Sequence, residues 1–165
     1  MSNNTIVFND TEIVYEWKPY TDSVVGGTST ASIYQKEDHI SFQGVITAIS
    51  HASWASLRSN LVPKDLSSYS GVELTLRTDG RPYAFEIEYN LAWQDAKASF
   101  IMQPVANEWI TFKIPFSNFH TVQLNKIISD KAAIESFSNV KRFNFHVAKK
   151  IVGDFRLDIK SVSFY

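Results

Sequence analysis

Val72-Glu-Leu-Thr-Leu-Arg-Thr78, then Asp79-Gly-Arg-Pro82, then Tyr83-Ala-Phe-Glu-Ile-Glu-Tyr-Asn-Leu91: the alternation in these residues decides the fold class. In the first run Val72, Leu74 and Leu76 share one face, with Glu73, Thr75 and Arg77 on the other. In the last run Tyr83, Phe85, Ile87, Tyr89 and Leu91 oppose Glu86, Glu88 and Asn90. Successive side chains of a strand point to opposite faces, so this pattern predicts strands that are apolar on one side. Asp-Gly between two alternating runs predicts a hairpin.

The same texture extends in both directions. Strands are predicted at His39–Ile49, Ser53–Ser59, Ala98–Gln103, Trp109–Ile114, Arg142–Ala148 and Phe155–Tyr165. Turn formers divide them, including Asn107-Glu108 and Gly153-Asp154. One short helix is expected over about Asp130 to Phe137, capped by Ser129 or Asp130. Without long helices to cover a parallel sheet, the fold class is all-β, an antiparallel β-sandwich with one short helix. With no repeat and no linker, residues 1–165 read as a single domain.

Bulk composition narrows the function. The hydrophobic fraction of 44% and charged fraction of 20% are those of a soluble globular chain. A net charge of −1 and the lack of a basic block argue against nucleic acid as a partner, because that binding neutralises several phosphates at once. Zero cysteines removes disulfides, thiol catalysis and Cys-based zinc sites. The N-terminus shows no basic segment followed by an apolar run, and no stretch approaches the roughly 20 apolar residues of a membrane span. The expectation is a cytoplasmic chain that does not insert into membrane, in which the sequons Asn3-Asn4-Thr5 and Asn9-Asp10-Thr11 are chance matches.

Several segments resemble the complex I intermediate-associated protein 30 family, in that family's order. Asp22-Ser-Val-Val-Gly-Gly-Thr-Ser29 is similar to its Asp-Gly-Val-Met-Gly-Gly-x-Ser signature, and Phe42-Gln-Gly44 to its Phe-x-Gly. Trp54-Ala-Ser-Leu-Arg-Ser59 resembles Phe-Ala-Ser-Val-Arg-Ser, and Asp65-Leu-Ser-Ser-Tyr-Ser-Gly71 resembles Asp-Leu-Ser-x-Tyr-x-Gly. Asp79-Gly-Arg-Pro-Tyr83, Trp109-Ile-Thr-Phe-Lys-Ile-Pro-Phe-Ser-Asn-Phe119 and Gly153-Asp-Phe-Arg-Leu-Asp-Ile159 complete the set, which spans Trp17 to Tyr165. Ser23 and Val25 depart from the first signature, and His51-Ala52-Ser53 stands where the family has Gly-Gly before Phe-Ala-Ser. The resemblance implies a galactose-binding-like jelly roll related to carbohydrate-binding modules. It also implies a role in assembling a membrane-associated redox complex, respiratory or photosynthetic.

Few constellations carry chemistry. His39, His51, His120 and His146 lack the spacing of a metal site, and no Asp-rich loop demands calcium, so no metal and no cofactor is expected. Gly26-Gly27 lacks the Gly-Lys-Ser/Thr ending of a phosphate loop; it reads as a tight turn with Asp22 bonded to its backbone. No Gly-x-Ser-x-Gly elbow is present. Glu86 and Glu88 point the same way from one strand, which does not set carboxylates on either side of a scissile bond. Phe112, Ile114, Phe116 and Phe119 read as core.

What remains is a polar face. Trp54, Arg58, Arg77, Glu86, Glu88, Arg142, Asn144 and His146 fall opposite apolar partners, with Glu73 beside them. They form either a solvated face of cross-strand ion pairs or a concave binding platform with Trp54 as its anchor. Trp93 and Gln94 are loop candidates for stacking on a ligand or partner. The expectation is a binding protein without catalysis, whose partners are protein subunits of a redox complex, or alternatively a carbohydrate.

Overall fold

The computed structural model describes residues 4–8, 16–48, 53–148 and 151–165. His51, Ala52, Asn3 and the Asn9-Asp10-Thr11 triplet lie outside these. The described strands are β1 (Thr5–Val7), β2 (Trp17–Thr21), β3 (Thr30–Gln35), β4 (Ile40–Ile46), β5 (Ala55–Ser59), β6 (Gly71–Thr78) and β7 (Tyr83–Glu88). They continue with β8 (Lys97–Met102), β9 (Ile110–Pro115), β10 (His120–Gln123), β11 (Lys126–Ser129), β12 (Arg142–Val147) and β13 (Gly153–Phe164).

Two antiparallel sheets share them. One has the order β3-β4-β13-β6-β9 with β1 also on β13; the other runs β11-β10-β8-β7-β12-β5-β2. The chain crosses repeatedly from one sheet to the other, the jelly-roll form of a β-sandwich. Alternation sends Leu57, Phe85, Ile87, Phe143 and Phe145 from the seven-stranded sheet inward to meet Phe42, Leu74, Leu76, Leu157 and Phe164 from the other, all nearly inaccessible to solvent. Rings pack within the seven-stranded sheet, where Phe85 lies 5.7 Å from Phe143 and 5.2 Å from Phe145, and across to the other sheet, where Phe143 lies 5.5 Å from Phe164. Aromatic pairs at these separations add to the area they bury. Phe119, Ile114 and Phe116 are core residues, and Phe112 packs on the core's margin.

Three expectations are corrected. Asp79-Gly80 does not close a hairpin, because β6 and β7 belong to different sheets. Gly80 supplies the left-handed backbone (φ +92°) for the corner, and the Asp79 carboxylate accepts from the Arg81 and Arg156 backbone N–H groups and the Tyr83 hydroxyl. The helix, α1, is only Glu135–Ser138; its N-cap Ile134 offers no side-chain bond, and Ser129 instead accepts from the Lys131 N–H in a turn. The strand over Tyr83–Leu91 stops at Glu88, and Leu91 stands 46% exposed in the following loop.

The glycine-rich signature proves to be a structural joint. Asp22, fully buried, accepts from the Ser29 N–H (3.0 Å), the Ser29 hydroxyl (2.6 Å), and the N–H groups of Ser53 (2.6 Å) and Trp54 (3.2 Å). A Cβ at Gly27 would lie 2.3 Å from the Asp22 Cγ, so only glycine lets the carboxylate sit there. The joint fixes where β5 starts and thereby where Trp54 stands.

Candidate functional site

Strand registers assemble the site on the outer face of the seven-stranded sheet. Lys18 pairs with Arg58, Arg58 with Asn144, Asn144 with Glu86, Glu86 with Ser99, and Ser99 with His120. Cross-strand partners share a face, so these residues form one row running across β2, β5, β12, β7, β8 and β10. A parallel row holds Tyr20, Ser56, His146, Ala84 and Ile101, and Arg142 stands opposite Glu88 on the other side of the first row. The inward alternates of these strands are the aromatic core, which is why the polar residues have nowhere to face but outward.

Six of the eight face residues read from the sequence come together here: Arg58, Glu86, Glu88, Arg142, Asn144 and His146. Trp54 borders them, half-buried, with its ring 6.3 Å from that of His146. Arg77 does not join. It stands on β6 in the other sheet, where it forms an ion pair with Asp158 at 2.9 Å and lies 4.7 Å over the Trp109 ring. Glu73 is on the same wrong sheet, facing Lys113. Trp93 is 77% exposed on the loop after β7, and the Gln94 carbonyl accepts from Gln123 at 3.1 Å, which ties that loop to β10.

The charges on the face are buried more deeply than an open sheet surface allows. Glu88 and Asn144 are 3% and 1% exposed, so their polar atoms depend on protein partners. Glu88 has them: Arg142 Nε donates to one carboxylate oxygen, and Lys97 Nζ (3.3 Å) and Asn144 Nδ2 (3.3 Å) donate to the other. Lys97 also lies 3.8 Å from Glu86. The Ser56 hydroxyl and His146 Nδ1 are 2.7 Å apart, and burial pushes the His146 pKa down, so the ring is held neutral. The row is otherwise incomplete. Arg58 Nε, Asn144 Oδ1 and His120 Nε2 are covered from solvent and meet no hydrogen-bond partner among the described residues.

Lys97, Ser56, Tyr20, Lys18 and His120 belong to the face and were not read from the sequence as members. Lys18 and Tyr20 alternate with buried Trp17, but Pro19 between them masks the strand; a proline is tolerated there because β2 ends the sheet. Among the described residues no cluster of three or more metal-ligating side chains occurs, and no helix is long and apolar enough to cross a membrane.

Solved structures with this architecture include carbohydrate-binding modules. The family 11 module of the cellulosomal cellulase Lic26A-Cel5E of Clostridium thermocellum superposes with a TM-score of 0.68 at 16% identity, covering 100% of this chain and 97% of that one. The module of the same family bound to a β-1,3-1,4-mixed-linked tetrasaccharide gives 0.67 at 18% identity, with 99% and 97% coverage. At such identities the likeness concerns the fold. In sequence, the mitochondrial complex I intermediate-associated protein 30 of Drosophila melanogaster is 26% identical over 178 residues, which takes in 94% of this chain; the chain spans 60% of that relative's length. The family model for complex I intermediate-associated protein 30 matches residues 6–159, and with the joint at Asp22 and the corner at Asp79 both built from that family's motifs, the chain belongs to the complex I intermediate-associated protein 30 family.

Proposed function

We propose that this chain is a non-catalytic binding domain, one unit over residues 1–165, that assists assembly of a membrane-associated redox complex by holding a protein subunit on the outer face of its seven-stranded sheet. The observation that carries this is the incomplete row: covered polar atoms on Arg58, Asn144 and His120 without partners on a face already crowded with charge. Natural proteins satisfy such atoms from protein or ordered water, and a partner that reorders these side chains on docking supplies what the described residues do not. Family membership and the name of the fly relative support complex I as the kind of assembly, and that relative's mitochondrial name supports a matrix location beside the cytoplasmic one. Trp54 and Tyr20 at the border supply the aromatic surface that interface anchors favour.

Pull-down of a tagged chain from its host, read by mass spectrometry, tests this. Arg58→Glu is the informative variant, because Arg58 has no ion pair to break among the described residues, whereas Arg142→Glu would set a second carboxylate beside buried Glu88. Redox-complex subunits captured by wild type and lost with Arg58→Glu support both the role and the face. Equal capture by both keeps the role and removes the face. No subunit captured by either turns the reading to its alternative, a carbohydrate held on the same face, which the aromatic border and the shared fold with a tetrasaccharide-bound module favour. That alternative predicts a rise in Tm with millimolar mixed-linked glucan oligosaccharides, since a ligand selective for the native state stabilises it.

A further inference from the structure

We propose that Arg58 is a docking point for a carboxylate, an Asp or Glu side chain on the protein partner; this rests on the protein-binding reading of the face given above. The face carries Arg58, Arg142 and Lys97 against Glu86 and Glu88, with Lys18 at its border. Arg142 is committed to Glu88, and Lys97 divides itself between Glu88 and Glu86. Arg58 is left over: it forms no salt bridge among the described residues, and its Nε–H meets no acceptor.

The surplus cation is also held ready. Arg58 Cζ lies 4.5 Å from the centre of the Tyr20 ring, within cation–π range, and its cross-strand neighbours are Lys18 and Asn144. A guanidinium steadied by a ring loses less freedom when a planar, two-oxygen acceptor arrives, and a carboxylate fits its fork in a bidentate manner. Burial and the charge of Arg142 disfavour the cation where it stands, and the nearby Glu88 and Glu86 offset them only in part. An arriving carboxylate adds a countercharge at hydrogen-bonding distance, which offsets them. Glu86 and Glu88 behind it oppose a multiply charged phosphate but leave room for a single negative charge.

The test uses the full chain labelled with 15N-arginine and follows the Arg58 Nε–H resonance, assigned by its loss in Arg58→Gln. Acetyl-Ala-Glu-Ala-amide is expected to move it saturably in the millimolar range. Acetyl-Ala-Gln-Ala-amide is expected to act at least about tenfold more weakly, as expected for loss of a charge-assisted pair. The Arg142 Nε–H resonance, already bound to Glu88, should stay in place. An unmoved Arg58 resonance, or an equal response to the Gln peptide, overturns the proposal; an equal response to glucuronate also does, by assigning the carboxylate to a sugar. The pull-down separates this inference from its basis. Subunit capture that survives Arg58→Gln, with no response to the Glu peptide, leaves the assembly role standing without this site. A Glu-peptide response in a chain that captures no subunit leaves the carboxylate site standing without that role.

Discussion

Asp22 shows how much of the local structure one side chain holds. Its carboxylate ties the turn at Gly26-Gly27 to the start of β5, far along the chain, through Ser29, Ser53 and Trp54. Replacing it with Ala strands several buried N–H donors at once, each costing about 1–3 kcal/mol, so Asp22→Ala should lose about 3–5 kcal/mol in urea denaturation. Asp22→Asn keeps one acceptor and should fall between. Equal stability of wild type and Asp22→Ala would contradict the assigned joint. Gly44 is explained in the same terms: a Cβ there would lie 1.9 Å from the Thr30 carbonyl and 2.7 Å from the Phe155 ring, so the Phe-x-Gly motif makes room for its cross-strand neighbours.

At the scale of elements, position in the sheet decides what a strand contributes. β13 is a central strand: Leu157 is fully buried and sits between Phe42 of β4 and Thr78 of β6. β11 ends its sheet, and Ile128 on it is 56% exposed. The two residues are alike in size, yet Leu157→Ala should cost about 2–5 kcal/mol through the cavity it leaves. Ile128→Ala should stay within about 0.5 kcal/mol, as surface changes do. Thermal unfolding of the two variants side by side checks the contrast, and a large loss from Ile128→Ala would show that β11 is covered in solution.

For the whole molecule, stability should fall with acid in two stages. Burial pushes the pKa of His146 and of His120 below the ordinary histidine value. The unfolded chain then takes up protons that the fold refuses, and stability declines as pH drops below about 6.5. Burial alone would raise Asp22 and Asp158, but hydrogen bonds outweigh it, from Ser29, Ser53 and Trp54 in one case and from Arg156, Ser41 and Arg77 in the other. Both carboxyls therefore sit below the usual carboxylate range. Their contribution is complete above about pH 4 and is lost as pH falls through the lowered values, because the unfolded chain binds those protons first. Urea midpoints measured from about pH 8 down to about pH 2.5 should show both declines, and a flat profile would contradict them.

Alternation along the chain determined the fold class, the identity of the core rings and the two-sidedness of each strand, because side-chain direction in a strand is a local consequence of backbone geometry. From that alone Arg58, Glu86, Glu88, Arg142, Asn144 and His146 were readable as outward residues. Which strands lie side by side was not readable, since pairing is settled between segments far apart in sequence and leaves no period behind. Hence alternation alone does not separate Arg77, as outward as Arg58, from it, although β6 and β5 lie in opposite sheets. Only the tertiary structure put β2 beside β5 and β10 beside β8, and so brought Lys18, Tyr20 and His120 into the row. The count of which charge each cation neutralises followed from those neighbours, and with it the one guanidinium on the face left without a partner among the described residues.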